Sequence, residues 1–493
     1  MYKVALYTLG CKVSLYESEA IGEAFAARGF EVVSPDQKAD IYVINTCTVT
    51  AESDAKSRKY IRRAIRSNPR AGVFVIGCYS QRSPDEVAAI EGVAGVLGTR
   101  DKLSVVPLAE KFLAERESVS RCGPCTAEIS VAVSRPEALP SPAASVCSAE
   151  GKEPLQSDGK AVNGSFAKPS PTVSVYPLEG AEFEQMRVES AERTRGYVKI
   201  EDGCECRCTY CAIADARGPV RSKLPERVIE EVEGLYKNGS LEVVLTGIET
   251  GSYGKDLTGV LGRKYTLADL LTELNERKSC HRIRLGSMAP ELVGEEFVER
   301  ISALPIMTPH IHLSIQSGSS SVLRAMKRRY NREMLLECID RLKEKIPRIM
   351  ITADLLVGFP GESEEDFLDT FNLVSRAELL DAHVFAYSKR RGTPAATMEC
   401  QVPEEIKQER SRRLIAEKNR VREQVLSEVV TQGAPLSVIL ESFSDGGYTC
   451  HSDSFIECRV TGPDGLSGKL ATIAPLRHEN GIIYGEIINI DNK

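Results

Sequence analysis

Between residues 186 and about 400, short apolar segments alternate with helical segments at least six times. Strands joined by helices pair in parallel, because the helix carries the chain back to the start of the next strand. The alternation therefore predicts a partial (βα)6 TIM-type barrel, with helices outside and ligands at the C-terminal ends of the strands. The six strand-like segments are GYVKI (196–200), LEVVLTGI (241–248), RIRLGSM (282–288), HIHLSIQSG (310–318), IMITADLLVGFPG (349–361) and DAHVFAYS (381–388).

The regions on either side have different patterns. Residues 1 to about 110 alternate strand and helix three times, which predicts a doubly wound α/β domain over 1–115. Residues 116–185 are rich in Ser, Pro, Ala and Gly without a sustained period, and we interpret them as a disordered linker. The barrel domain then covers 186–428, and short alternating runs with Gly and Asp turns predict a small RNA-binding β-barrel over 429–493.

The cysteines are the main chemical evidence in this chain. No segment approaches the ~18 consecutive apolar residues of a membrane helix, and the N-terminus lacks the features of a signal peptide. Both observations favour a cytoplasmic protein. In a reducing compartment the 15 cysteines are better explained as buried thiols, metal ligands or nucleophiles than as disulfides.

Four cysteines lie in the run GCECRCTYC (203–211), directly after the first barrel strand. Cys204, Cys208 and Cys211 have the spacing C-x3-C-x2-C, which can wrap an iron-sulfur cubane and leave its fourth iron open to a ligand. Adding Cys206 gives four thiols, enough for zinc. Zinc sites usually pair two separated knuckles, however, so the spacing favours the cluster.

A second set of thiols lies in the N-terminal region. Cys11, Cys47 and Cys78 each follow a predicted parallel strand, and ligands bind at that edge of a doubly wound sheet. One such cysteine would be explained by packing, but three in equivalent places indicate a metal site. Cys122, Cys125 and Cys147 lie in the linker without flanking structure, so we interpret them as incidental thiols.

With Tyr210 before its last cysteine, the run at 203–211 resembles the signature of the radical S-adenosylmethionine (SAM) enzymes. The resemblance implies that Cys204, Cys208 and Cys211 ligate a 4Fe-4S cluster and that Tyr210 lies against the SAM nucleoside. Cys206 has no matching role. In that family the open iron binds SAM, and one electron cleaves it to methionine and a 5′-deoxyadenosyl radical.

The whole chain outside 117–178 resembles the methylthiotransferases of that superfamily. TLGCKVSLYESEA (8–20) is similar to the branch that modifies N6-threonylcarbamoyladenosine at position 37 of tRNA, and LTGIETGSYGKDL (245–257) matches the same group. The resemblance implies a second 4Fe-4S cluster on Cys11, Cys47 and Cys78. It also identifies the C-terminal barrel as a TRAM domain.

The resemblance also suggests residues that contact SAM. Gly247 lies at the end of a barrel strand, where a glycine lets a ligand approach the backbone, although turn chemistry explains it equally well. Glu249 stands where family members often carry His or Asn. The predicted cofactor-binding residues are Tyr210, Gly247, Glu249, Ser287, Gln316 and Asp354.

The predicted reaction replaces the hydrogen on carbon 2 of the adenine by a methylthio group. That C–H bond is unactivated, so the reaction needs radical chemistry from a cofactor. The implied partners are SAM, the anticodon loop of tRNA and an electron donor such as flavodoxin or ferredoxin, acting on a monomer. Although the net charge is −7, basic helices at 56–66 and 407–422 and basic turns at 326–330 and 388–394 suit RNA.

Two alternative functions remain open from the sequence. One keeps the fold and changes the substrate to N6-isopentenyladenosine in tRNA or to an aspartate of a ribosomal protein. The other is an iron-sulfur protein that binds RNA or transfers electrons without catalysis. The glycine-rich strand ends argue against the second alternative, since they suit a bound SAM.

Overall fold

The N-terminal region of the computed structural model, which describes residues 1–122, 170–189 and 194–491, is built on a parallel sheet. Its described strands run in the order β2-β1-β3-β4-β5-β6. β3 and β4 are buried on both faces, which explains why their sequences are continuous apolar runs. The strands are β1 Lys3–Thr8, β2 Glu31–Val33, β3 Ile41–Thr46, β4 Gly72–Gly77, β5 Gly95–Leu97 and β6 Thr172–Ser174.

Helices cover both faces of this sheet. The Thr50 side chain caps α2 by accepting a hydrogen bond from the Ser53 backbone N–H, and Glu52 and Asp54 lie in the first turn of the helix, where negative charge is favourable. The helices are α1 Lys12–Ala27, α2 Ala51–Ser67, α3 Cys78–Arg82, α4 Pro84–Ala88 and α5 Val105–Cys122, with a 3-10 turn at Lys102–Ser104.

The predicted linker over 116–185 is wrong in part. α5 continues to Cys122, and Thr172–Ser174 forms β6, which pairs in parallel with β5. Met186 and Val188, just beyond the predicted linker, are buried in the core. A three-residue strand is too short for its alternation to stand out in a Ser- and Pro-rich segment. Cys125 and Cys147 lie outside the described residues, and the predicted domain boundaries stay predictions.

The central region forms the predicted partial barrel. Six parallel strand positions are described, because Gly286 separates β11 from β12 within the third position. β7, β10 and β11 form one sheet, and β12 to β15 form the other. The strands are β7 Arg195–Lys199, β8 Glu201–Asp202, β9 Arg221–Ser222, β10 Glu242–Thr246, β11 Arg282–Leu285, β12 Ser287–Met288, β13 His310–Gln316, β14 Met350–Val357 and β15 Asp381–Ala386, with β8 and β9 forming a separate antiparallel pair.

Amphipathic helices pack outside the barrel. α9 and α13 both begin with a capping box, in which a Thr or Ser side chain and an Asp side chain satisfy each other's backbone N–H groups. The helices are α6 Ile213–Arg217, α7 Pro225–Lys237, α8 Thr258–Leu261, α9 Leu267–Arg277, α10 Glu295–Ser302, α11 Ser320–Ala325, α12 Arg332–Lys345, α13 Glu364–Ala377 and α14 Glu404–Gln432, with 3-10 turns at Thr250–Ser252, Pro290–Leu292 and Pro394–Thr397.

The C-terminal region is a closed barrel of the strands β16-β17-β18-β20-β19, as predicted. The 29-residue helix α14 connects it to the central barrel and packs against both β15 and β19. Within the described ranges, we find no helix with the length and apolar character needed to cross a membrane. The strands are β16 Leu436–Ser444, β17 Gly447–Ser452, β18 Glu457–Thr461, β19 Leu470–Glu479 and β20 Ile482–Ile490.

Candidate functional site

The structure brings Cys11, Cys47 and Cys78 to one edge of the N-terminal sheet. The strands that precede them, β1, β3 and β4, are direct neighbours and run parallel, so their C-terminal ends coincide. Gly77, with φ of 99°, turns the chain from β4 into Cys78, and a side chain there would clash with the Asn45 side chain at 2.7 Å. Glycine is therefore needed at this turn.

The three thiols influence one another electrostatically. Burial raises the pKa of Cys78 to about 11, and the charges of Cys47 and Cys11 raise it as well, whereas the Arg217 guanidinium opposes them. Arg217 Nε donates a hydrogen bond to Cys78 Sγ over 3.1 Å. Burial also raises the pKa of Cys47. Thiols with raised pKa values are poor nucleophiles at neutral pH, but a bound metal would deprotonate them.

The other three predicted ligands lie in the loop between β8 and α6. The Cys204 backbone N–H donates to Gly218 O over 3.0 Å, and the Cys211 N–H donates to Cys208 O over 3.1 Å, so both ends of the loop are held. Arg328 Nη1 donates to Cys208 Sγ over 3.4 Å. Each set of cysteines therefore has one buried arginine that donates to one of its sulfurs.

The spacing of the sulfur atoms does not suit a single zinc ion. Tetrahedral zinc with Zn–S bonds of about 2.3 Å would hold its sulfurs about 3.8 Å apart. Among the described residues, no three cysteine sulfurs lie within 4.8 Å of one another. Three thiols at the mouth of a cavity with wider spacing fit a larger group such as a cubane cluster, which leaves one iron without a protein ligand.

A buried network of charges connects the two sets of cysteines. Arg217 Nη1 donates to Glu17 Oε1 over 2.6 Å and to Asp202 Oδ1 over 3.2 Å. Lys199 Nζ donates to the same two carboxylates, each over 3.0 Å. Burial opposes ionisation of Glu17, but Arg217, Lys102 and Lys199 outweigh it and hold the pKa of Glu17 well below its usual range. Since Glu17 is on α1 behind Cys11 and Asp202 precedes Cys204, this network fixes one loop relative to the other.

Two of the predicted SAM contacts follow β10. Glu249 is buried, its Oε1 accepts a hydrogen bond from the Ala289 N–H over 3.0 Å, and burial raises the pKa of its carboxyl to about 7. The charge of Cys206 also acts on Glu249, so this carboxyl lies near the cysteine loop. At Gly247 a side chain would meet Glu201 Oε2 at 2.5 Å, which explains this glycine by close packing.

The remaining predicted contacts lie on the second sheet and in the cysteine loop. Asp354, on β14, lies between His312 and His383, whose ring nitrogens are each 3.3 Å from one of its oxygens. Gln316 ends β13 with φ of 67°, and Ser287 pairs in register with His312. Tyr210 packs beside an apolar cluster formed by Val322, Met326, Leu356, Phe359, Tyr387 and Ala395.

Sequence reasoning missed four side chains at this site. Arg217 and Arg328 contact cluster-binding thiols, and His312 and His383 flank Asp354. The alternation of polar and apolar residues in HIHLSIQ would have placed His312 on the barrel interior. Arg328 belongs to the segment 326–330 that we interpreted as a basic turn for RNA, but its guanidinium contacts Cys208 instead.

Comparisons with known proteins agree with this architecture. Residues 198–374 match the family model described as Radical SAM superfamily, and residues 3–98 match Uncharacterized protein family UPF0004. A solved structure of the radical S-adenosylmethionine methyltransferase TsrM from Kitasatospora setae aligns with a TM-score of 0.51 and 16% identity, covering 80% of this chain and 75% of that chain. At this identity the likeness concerns the fold.

Curated relatives cover almost the whole chain. The chain is 36% identical to threonylcarbamoyladenosine tRNA methylthiotransferase MtaB of Bacillus subtilis (strain 168), over 99% of this chain and 97% of the relative. The chain belongs to the radical SAM methylthiotransferase family. Within the family it is 35% identical to MtaB of Aquifex aeolicus (strain VF5), over 83% of this chain and 86% of the relative. It is also 32% identical to the tRNA-2-methylthio-N(6)-dimethylallyladenosine synthase of Carboxydothermus hydrogenoformans, over 84% and 82%.

Membership of this family identifies the protein as a radical SAM enzyme and identifies its cofactors as SAM and two 4Fe-4S clusters. The residues present fit these groups in donor type and spacing. Each of the two sets of cysteines offers three sulfurs at a strand-end edge, and a buried arginine donates to one sulfur of each set. Hydrogen bonds to the sulfurs and burial are the means by which a protein tunes such a cluster.

Proposed function

We propose that this protein converts N6-threonylcarbamoyladenosine at position 37 of tRNA to its 2-methylthio derivative. The observation that carries the proposal is the 36% identity to a relative of that name across 99% of the chain. Relatives named for dimethylallyladenosine are also similar, at 32% identity or below among those compared. The isopentenyl substrate is therefore the second candidate.

We propose that Cys204, Cys208 and Cys211 hold one cluster and that Cys11, Cys47 and Cys78 hold the other. Bound there, the clusters and SAM supply the radical and the sulfur-bearing centre that attack on an unactivated C–H bond requires. The chain's own contribution is to hold the two centres at fixed separation, through the buried Arg217 network, and to keep water away from them. Tyr210, Gly247, Glu249, Ser287, Gln316 and Asp354 remain our proposed SAM contacts.

Several features suit an RNA substrate that presents an unpaired base. The C-terminal barrel carries an exposed Arg477 stacked 3.8 Å from the ring centre of Tyr484, and Leu476 and Ile488 are exposed beside it. Aromatic and guanidinium planes of this kind can stack on splayed bases. The anticodon loop of tRNA fits these features. Action in the cytoplasm as a monomer, with flavodoxin or ferredoxin as electron donor, completes the proposal.

The substrate can be tested by nucleoside mass spectrometry of tRNA from cells that lack this gene and cells that carry it on a plasmid. We expect the 2-methylthio form of threonylcarbamoyladenosine to be absent without the gene and restored with it. The 2-methylthio form of isopentenyladenosine should be unchanged, which makes it the internal control. Loss of the isopentenyl derivative instead would assign the protein to the second candidate.

A further inference from the structure

We propose that Lys12 and Arg284 form a subsite for the free carboxylate of the substrate, an inference that rests on the proposed function. In N6-threonylcarbamoyladenosine the threonine is attached through its nitrogen, so its carboxylate is free and negatively charged. The isopentenyl group has no charge. A buried cation in the substrate cavity would therefore favour one substrate over the other.

Lys12 connects the N-terminal domain to the interior of the central barrel. It directly follows Cys11 at the start of α1, and its side chain is half-buried. Burial and the neighbouring Arg284 lower the pKa of Lys12, while Asp354 opposes them. The charge of Lys12 also acts on His310 and His383. Its ammonium group therefore faces the polar side chains of β11, β13, β14 and β15.

Both cations have unused capacity to bind an anion. Within residues 1–122, 170–189 and 194–491, Lys12 makes no hydrogen bond or ion pair. Arg284 is 1% exposed, and its Nε and Nη2 donate to Glu242 over 2.7 and 3.1 Å. Its Nη1 is buried without a partner among the described residues. A buried donor left without an acceptor is costly, so a ligand oxygen there would be favourable.

The nearest carboxylate does not neutralise Lys12. Asp354 is already engaged by His312 and His383, at 3.3 Å each. The ligand atoms of these three side chains lie within 4.8 Å of one another, a spacing that could also hold a metal ion. Lys12 and Arg284 would repel a second cation in this space, however, and they would attract an anion. The charge distribution therefore favours a carboxylate ligand over a metal.

The position of Lys12 also agrees with the geometry of the substrate. In adenine, carbon 2 and carbon 6 flank the same ring nitrogen, and the threonylcarbamoyl group is attached at carbon 6. When carbon 2 faces the cluster on Cys11, Cys47 and Cys78, the modified edge of the base lies beside the residue that follows Cys11. Lys12 is therefore placed to contact the group that distinguishes this nucleoside from its isopentenyl counterpart.

The test compares two RNA stem-loops with the reconstituted full-length protein. One carries N6-threonylcarbamoyladenosine at position 37, and the other carries its carboxylate methyl ester. We expect Lys12→Met to raise KM for the acid by about 10- to 100-fold, the cost of removing one charged hydrogen bond, and to change KM for the ester little. Lys12→Arg keeps the charge and should restore the preference for the acid. Lys38→Met, at an exposed lysine of the same domain, is the matched control.

The outcomes separate the subsite from the proposed function. Iron content equal to that of the wild type shows that the cluster beside Lys12 is assembled, and Lys12→Gln serves as a second neutral variant where Lys12→Met assembles poorly. Equal KM increases for acid and ester, or a wild type that does not distinguish them, would overturn the subsite while methylthiolation of the acid stands. A wild type that modifies an isopentenyl stem-loop and neither of these two would overturn both.

Discussion

Replacing Cys47 by alanine is expected to lower the iron content of the anaerobically reconstituted protein from about eight to about four per chain. Cys47 lies between Cys11 and Cys78 at the edge of the N-terminal sheet, because β3 lies between β1 and β4. Two remaining thiols hold a cubane poorly. The variant should still release 5′-deoxyadenosine from SAM, since the set of cysteines at 204–211 is intact, but it should form no methylthiolated RNA.

Two further variants make this prediction specific. Cys208→Ala should also lower iron to about four, but it should abolish 5′-deoxyadenosine release, because it removes a ligand of the other cluster. Cys206→Ala should leave iron content and both activities near those of the wild type. Iron analysis combined with chromatography of the nucleoside products gives all three results. Equal losses in Cys206→Ala and Cys208→Ala would contradict our assignment of the ligands.

Replacing Arg217 by methionine is expected to lower the free energy of unfolding by about 3–5 kcal/mol, the typical cost of breaking a buried charge network by removing one partner. The Arg217 side chain is fully buried between Glu17 and Asp202. Methionine fills much of the volume but leaves both carboxylates without the guanidinium. The loss should appear as a large shift of the urea transition, with m-values compared to exclude a change of mechanism.

Arg227→Met is the matched control for this substitution. Arg227 forms an ion pair with Glu230 over 3.0 Å, but both side chains are more than half exposed. Exposed pairs of this kind contribute at most about 1 kcal/mol, so the control should unfold close to the wild type. If both variants shifted the transition equally, the buried network would not be what holds the two cysteine loops together.

Local patterns in the sequence predicted the architecture because each strand and each strand-end cysteine carries its own signal. The apolar runs before Cys47 and Cys78 identify buried parallel strands, and neighbouring parallel strands end at one edge. The prediction of the sheet therefore carried the prediction of the cysteine set with it. The short strand β6 was missed because three residues give too short a period for recognition.

Buried charges could not be predicted in the same way. Arg390 belongs to a segment that we interpreted as a basic turn, but its guanidinium is buried and donates to Asp54, 336 residues away in the chain. Arg328 similarly donates to Cys208. A basic residue looks the same in the sequence whether its partner is solvent or a distant carboxylate or thiol. Only the fold brings such partners together, and these pairs form the second layer of the candidate site.

The most direct test of sulfur insertion at carbon 2 uses a stem-loop whose threonylcarbamoyladenosine carries deuterium at that carbon. The account predicts that the deuterium removed from the base is recovered in 5′-deoxyadenosine, and that the RNA gains one methylthio group for each deuterium transferred. Release of 5′-deoxyadenosine without deuterium, from RNA whose mass is unchanged, would contradict it.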